Sequence, residues 1–189
     1  METTDPRKFL IQITSILDKL GINYFITGGF AVAVWGWPRS TSDIDVVVQI
    51  GQTQIHYLSK ALRELSSLGY IDEESAREAI RRNGEFNFID PDTGLKVDFW
   101  VAKNDDLTRS QFKRKIRKKI SGAVVYFISP EDLILNKMIW HKTSGSFLQL
   151  DDISSIIRIS GQKLDIRYLK KWAVLLGVVE ILKNLLQDK

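Results

Sequence analysis

Hydrophobic positions recur along this chain with two periods, one helical and one extended. Leu10, Ile13, Leu17 and Leu20 follow helical spacing. Asp5 can cap that helix, Pro6 suits its first turn and Gly21 stops it. Residues 23–27, NYFIT, predict a short buried strand. Gly28-Gly29 then break the chain, and FAVAVWG predicts a short helix stopped near Gly36 and Pro38. The β-branched run IDVVVQI, 44–50, predicts a second strand. Ile55, Leu58, Leu62 and Leu65 mark a helix ending at Gly69. EFNFID and LKVDFWVA predict two strands joined by a Pro-Asp-Thr-Gly turn. A polar helix is expected over 105–119, and VVYFI, 124–128, predicts another strand.

The character changes at Ser129-Pro130, where Ser129 can cap a helix, Asp132 can complete a capping box and Pro130 opens the first turn. From there to Lys189 only helical patterns follow. DISSIIRIS and DIRYLKKWAVLL are the clearest, each expected to open at its Asp. The expectation is an α/β (α+β) protein, with a catalytic α/β domain over 1–128 and a helical subdomain over 129–189.

Composition narrows the chemistry. The 189 residues contain no Cys and two His, His56 and His141, which excludes disulfides and thiolate metal sites and disfavours a zinc hydrolase. The start, METTDPRKFL, lacks the pattern of a signal peptide, and no apolar stretch approaches the ~20 residues that span a bilayer. A cytoplasmic location is the resulting expectation. The net charge is +4, and the basic excess is concentrated in Lys113, Arg114, Lys115, Arg117, Lys118 and Lys119. Such a run is either a solvated helix face or a contact for nucleic acid.

Asp43 and Asp45 begin the IDVVVQI strand, and side chains two apart on a strand share a side. Adjacent carboxylates repel, so a cation between them gives the arrangement a purpose. Asp98, alone in the apolar strand KVDFW, is the third carboxylate. An all-oxygen set suits Mg2+ or Mn2+. Upstream, Gly28 and Gly29 sit between a strand and a helix, where backbone N–H groups can hold phosphate. Arg39, Ser40 and Thr41 can add contacts to it. Each piece alone has a plain structural reading: Gly-Gly is commonly a turn, and Asp-X-Asp is common on exposed strand ends. The ordered combination points to nucleotide chemistry.

The segment TGGFAVAVWGWPRSTSDIDVVV resembles the signature of the polymerase-β-like nucleotidyltransferase superfamily: Gly-Gly, a spacer from Phe30 to Ser42, then Asp-hydrophobic-Asp-hydrophobic. FNFIDPDTGLKVDFW resembles the hairpin that delivers that superfamily's third aspartate. The segments SPEDLILNKMIWHK, LQLDDISSII and LDIRYLKKWAVLLGV resemble the helical tail of small bacterial and archaeal members, including the AbiEii-type toxin group. The resemblance implies a mixed β-sheet flanked by helices, with a C-terminal helical bundle. It implies Asp43, Asp45 and Asp98 as catalytic metal ligands, Gly28 and Gly29 for the phosphates of an NTP, and Mg2+ or Mn2+ as cofactor. Lys137 and Asp152 are the nearest matches to a functional Lys and Asp in related toxins, although Leu150-Asp151 replaces the Arg/Lys-Asp pair common there.

The expected reaction moves an NMP from an NTP to an acceptor hydroxyl and releases pyrophosphate, with Asp98 helping to deprotonate the hydroxyl. The acceptor stays open between an RNA end such as tRNA, a protein and a small molecule such as an aminoglycoside. Lys113–Lys119 lean toward RNA. A cationic antibiotic calls for an acidic cleft, and Asp72-Glu73-Glu74 is the acidic cluster that stands out. The rival is a non-catalytic nucleotide-binding or antitoxin-type module, and a cognate antitoxin or toxin protein is a partner the resemblance allows. Lys137, on a face with Leu133 and Trp140, is expected to snorkel to solvent rather than bind phosphate. His141 is read as favouring a helix C-terminus, and Trp37 as packing rather than base-stacking.

Overall fold

The computed structural model describes residues 5–187. The first four residues of METTDPRKFL and the last two of the helical tail lie outside it. The elements are α1 (Pro6–Lys19), β1 (Asn23–Ile26), α2 (Gly28–Trp35), β2 (Asp43–Gln49), α3 (Ile55–Leu65), α4 (Glu73–Arg82), β3 (Glu85–Asp90), β4 (Leu95–Val101), α5 (Asp106–Arg114), β5 (Ile116–Ile120), β6 (Ala123–Phe127), α6 (Pro130–Ser144), α7 (Phe147–Ser160), α8 (Ile166–Leu175) and α9 (Val179–Gln187). The strands form one mixed sheet in the order β3-β4-β2-β1-β6-β5. Among the described residues no helix is long and apolar enough to cross a membrane.

The chain divides into two compact units. One comprises residues up to Phe30 together with Ser40–Phe127; the other comprises Ala31–Arg39 together with residues from Ile128 onward. In the first unit, β2 lies antiparallel to β1 and parallel to β4, and β3 and β4 form the expected hairpin. The Pro-Asp-Thr-Gly turn is held by Asp90, which is buried and accepts from Ser66 Oγ (2.8 Å) and Thr93 Oγ1 (2.7 Å). Period-2 alternation sorts the side chains. Ile44, Val46 and Val48 of β2 are buried, as are Phe86 and Phe88 of β3 and Val97 and Phe99 of β4. Phe9 of α1 stacks on Phe88, and Phe86 stacks on Phe99. Burying aromatics of this size contributes about 1.5–3 kcal/mol each. With one set of alternating positions committed to the core, the intervening polar positions of β2 and β4 are left for chemistry.

The capping of α1 is as expected: Asp5 accepts from the Arg7 backbone N–H at 3.0 Å, and Gly21 takes a left-handed φ of +63°. The structure corrects or adds to the expectation at three places. The polar helix over 105–119 ends at Arg114, and residues 116–120 form β5, a strand paired antiparallel with β6. Ser121 and Gly122 both have positive φ (45° and 90°), which a two-residue hairpin turn requires. That turn, rather than the charge run, decides the local structure. Second, Asp72-Glu73-Glu74 is the start of α4. Asp72 caps it, accepting from the N–H groups of Glu74 and Ser75, and two glutamates in the first turn suit the helix dipole. Third, the helix containing DISSIIRIS opens six residues before Asp152, at Ser146, and Asp152 is interior and buried.

In the second unit Ser129 caps α6 as expected, accepting from Asp132 N–H (3.1 Å) and donating to Asp132 Oδ2 (2.7 Å). Asp132 also accepts from Tyr168 Oη at 2.6 Å, while Glu131 accepts from the Asp165 N–H at 2.8 Å. Asp165 caps α8 as its sequence suggests. The buried acids of the Glu-Asp-Leu segment therefore hold α8 to α6. Residues 31–39 join this helical unit. Trp35 donates its indole N–H to the Ile128 carbonyl (2.9 Å), and its own carbonyl accepts from Ser160 Oγ (2.7 Å).

Candidate active site

The strand register decides the site. Asp45 stands directly opposite Asp98 across the parallel β2–β4 pair, and Asp43 stands opposite Lys96. Asp43 and Asp45 on β2, and Lys96, Asp98 and Trp100 on β4, occupy the positions that alternate with the buried ones, and all are part-exposed. Asp98 side-chain exposure is 17%, against 46% for Asp43. The three carboxylates are thus delivered to one side of the sheet by two strands whose other side is apolar.

Their neighbours hold them in place. Lys96 Nζ lies 2.9 Å from Asp98 Oδ2 and 3.9 Å from Asp43 Oδ2. The hydrogen bond to Asp98 raises the Lys96 pKa, keeping the ammonium charged. Trp100 donates its indole N–H to Asp45 Oδ1 at 3.3 Å. Ser42 Oγ donates to Asp43 Oδ1 at 3.2 Å, and the Thr41 hydroxyl brackets the Asp43 backbone, donating to its carbonyl and accepting from its N–H.

Gly28 opens α2 with φ +59°, and a Cβ placed there would lie 1.8 Å from Asp45 Oδ2. Both the backbone angle and the space demand glycine. At Gly29 a Cβ would press on the Thr41 side chain at 3.0 Å. The glycine pair thus lets the start of α2 lie against Asp45. Backbone donors at a helix N-terminus beside a carboxylate can hold a polyanion once a cation shields the acid.

Among the described residues no three acidic or histidine side chains stand close enough to form a finished metal cage. Asp98 is turned toward Lys96, and Asp45 toward Trp100. The donor set nonetheless fits a hard divalent cation: it is all oxygen, two members are in register, and an ammonium already lies against two of the three.

Arg39 and Lys137 come together in the helical unit, on Asp152. Arg39 binds it two-pronged, from Nε (3.0 Å) and a terminal nitrogen (3.1 Å), and Lys137 Nζ lies 2.7 Å from it. Lys137 is 5% exposed, so it does not snorkel to solvent; Gln149 takes another of its protons at 3.1 Å. Burial opposes ionisation of Asp152, but the two cations outweigh it and hold its carboxyl below the usual aspartate range. The resemblance singled out Lys137 and Asp152, and the fold pairs them. Ser40 is exposed. His141 sits in the last turn of α6 with Nδ1 3.0 Å from the Ser146 carbonyl, and the ring of Trp37, half-exposed, is covered by the Arg158 guanidinium at 5.6 Å.

The basic run is divided. Arg117 and Lys119 are exposed on the edge strand β5. Lys115 is instead drawn in among Tyr24, Phe112 and Tyr126, its Nζ 4.2 Å from the Tyr126 ring centre and hydrogen-bonded to the Tyr24 carbonyl. Burial lowers its pKa. It is therefore not part of an exposed polyanion surface. The residues that sequence reasoning missed are Lys96 and Trp100. Their signal was present: in KVDFW they lie two before and two after Asp98, on its side of the strand.

The fold is of the polymerase-β-like nucleotidyltransferase type, and the family that the chain matches is one of enzymes that transfer nucleotide groups. The chain belongs to the aminoglycoside-2''-adenylyltransferase family, whose sequence profile matches residues 9–137. The fold is similar to that of the antibiotic-resistance factor ANT(2'')-Ia. Its solution structure gives a TM-score of 0.65 at 16% identity, covering 100% of both chains. Its crystal structure with adenylyl-2''-tobramycin gives 0.60 at 15%, covering 91% of this chain and 97% of that one. A lincomycin-bound lincosamide antibiotic adenylyltransferase aligns at 0.54 and 14%, covering 83% and 98%. No curated protein matches by sequence.

Proposed function

We propose that this protein transfers an adenylyl group from ATP to a hydroxyl of a small, antibiotic-like acceptor and releases pyrophosphate, with Mg2+ as the metal. The observation that carries the activity is the in-register Asp45–Asp98 pair beside Gly28, with Asp43 one step along the same row. Family membership and the three antibiotic-related structures support the acceptor class. Asp43, Asp45 and Asp98 would hold the divalent ion, which when bound neutralises phosphate charge and activates the attacking oxygen. The N–H groups at the start of α2 orient the triphosphate. Asp98 accepts the proton of the acceptor hydroxyl, which then attacks the α-phosphorus as the bond to pyrophosphate breaks. Positioning and charge account for most of the rate in such transfers.

A second reading, transfer to an RNA end, is favoured by Arg117 and Lys119 on the exposed edge strand. Asp72-Glu73-Glu74 begins α4, where Glu73 pairs with Arg63 and Arg77 and Glu74 with Arg81, so its glutamates are already matched by cations. One experiment separates the two readings. The protein is incubated with each α-labelled NTP and Mg2+, in parallel with a panel of aminoglycosides and lincosamides, with tRNA, and with the protein alone. Label from ATP on an antibiotic, lost in Asp45→Asn, supports the first reading. Label on tRNA alone establishes the second, and no label in any arm overturns both.

A further inference from the structure

Lys96 lies against the catalytic row, placed there by the same register that builds the site. It stands opposite Asp43 and two residues before Asp98, and its ammonium contacts both, at 3.9 and 2.9 Å. Three carboxylates on one side of a sheet repel one another, and the ammonium offsets part of that repulsion. Lys96 and the divalent ion, however, compete for the same carboxylate oxygens: Asp98 cannot give Oδ2 fully to both, and two cations near one another repel. Trp100 adds to the arrangement by engaging Asp45 with its N–H.

We propose that Lys96 is the resident counter-ion of this active site, a positioning residue that holds Asp98 and Asp43 while no nucleotide is present and makes divalent-metal binding depend on the nucleotide. A triphosphate brings several negative charges to the row, so ammonium and metal are then both accommodated. Without it, the ammonium keeps metal affinity low. This is a coupling between two ligands, so nucleotide affinity rises with metal by the same factor that metal affinity rises with nucleotide. The inference rests on the row being the metal site, and the test separates the two.

The measurement is Mn2+ affinity, by electron paramagnetic resonance of free Mn2+, for wild type, Lys96→Met, Lys96→Gln, Lys96→Arg and Asp98→Asn, each with and without a non-hydrolysable ATP analogue. Nucleotide-free Mn2+ affinity is expected to rise about tenfold in Lys96→Met and Lys96→Gln, about 1.4 kcal/mol, and to stay near wild type in Lys96→Arg. The gain in Mn2+ affinity on adding the analogue should shrink by the same factor. Asp98→Asn should abolish tight binding without nucleotide and, with the analogue, leave only the Mn2+ that the analogue binds by itself. Nucleotide-free affinity that is unchanged or weaker in Lys96→Met and Lys96→Gln overturns the proposal for Lys96, provided Asp98→Asn still loses the metal. Undiminished binding in Asp98→Asn overturns the site itself. Melting temperatures without metal show whether the Met variant folds, and the near-isosteric Gln variant decides if it does not.

Discussion

The two units each contain a cluster of charges, and the clusters are opposites. On the sheet, three part-exposed aspartates share a lysine that touches two of them. In the helical unit, the buried carboxylate of Asp152 is matched by two cations and held below its usual pKa. Burial and matching go together because an unpaired charge away from water is too costly to keep. A carboxylate that is more than matched serves to join α6, α7 and the segment ending at Arg39. Carboxylates that lie together in reach of solvent have capacity for a further cation. The comparison sets a buried, matched Asp152 against a part-exposed aspartate row with room for a further cation.

The largest expected effect tests the catalytic side. Asp45→Asn and Asp98→Asn should each lower nucleotidyl transfer by about a thousandfold, near 4 kcal/mol of transition-state stabilisation, while melting within a few degrees of wild type. Activity within about tenfold of wild type would move the chemistry off the row.

Next, Asp152→Asn should cost about 3 kcal/mol or more of folding stability, because it leaves Lys137 buried without its anion. Urea unfolding followed by circular dichroism measures it, and a cost below about 1 kcal/mol would remove the contrast between the clusters. Since the folded carboxyl titrates below the unfolded one, its contribution is complete above the ordinary aspartate value of about 3.9 and is lost as pH falls through the folded value. Wild type should therefore take up a proton on acid unfolding that Asp152→Asn does not.

A smaller effect is expected at Asp43. In metal-free protein Asp43→Asn should leave stability unchanged or raise it by up to about 1 kcal/mol, since it relieves repulsion at an exposed position. A loss of several kcal/mol would make Asp43 a structural residue like Asp152.

The smallest sharpens the second reading. If RNA is the acceptor, Arg117→Ala/Lys119→Ala should reduce the salt slope of tRNA affinity by up to about two units, and Lys115→Met should not change it. Equal slopes for all three proteins would leave the basic strand as edge protection against sheet-to-sheet pairing.

The sequence was most legible where one local rule decided the outcome. Asp5-Pro6, Ser129-Pro130 and Asp165 cap helices because capping depends on a few adjacent atoms. Alternation in KVDFW and DIDVVV placed the three aspartates opposite the core-facing side chains. What could not be read was register: nothing local says that Asp45 meets Asp98 or that Asp43 meets Lys96, since both follow from pairing two strands about fifty residues apart. The mistake at 105–119 had a different origin. Six basic residues suggested a solvated helix, yet the Ser121-Gly122 pair was a hairpin signal with greater local authority. Lys115 shows the limit of reading charge alone, because its long apolar stem and the three aromatic rings were as decisive as its ammonium.

The division of the chain has a consequence for anyone who tries to cut it. Residues 31–39 belong with the helices that follow Ile128, although the sheet's strands lie on either side of them in sequence. Neither half is therefore a contiguous stretch of the gene. A fragment ending at Phe127 would strip the Trp35 indole of its carbonyl acceptor, and one starting at Ile128 would lack the Trp35 turn altogether. The final pairing of the sheet, Ile26 with Phe127, joins residues about a hundred apart. On the ribosome, the sheet can close only after Phe127 has emerged, and contacts of such long range fold slowly. The two compact units are written into the gene as an interleaved pair, so recombination that shuffles whole domains would have to move them together.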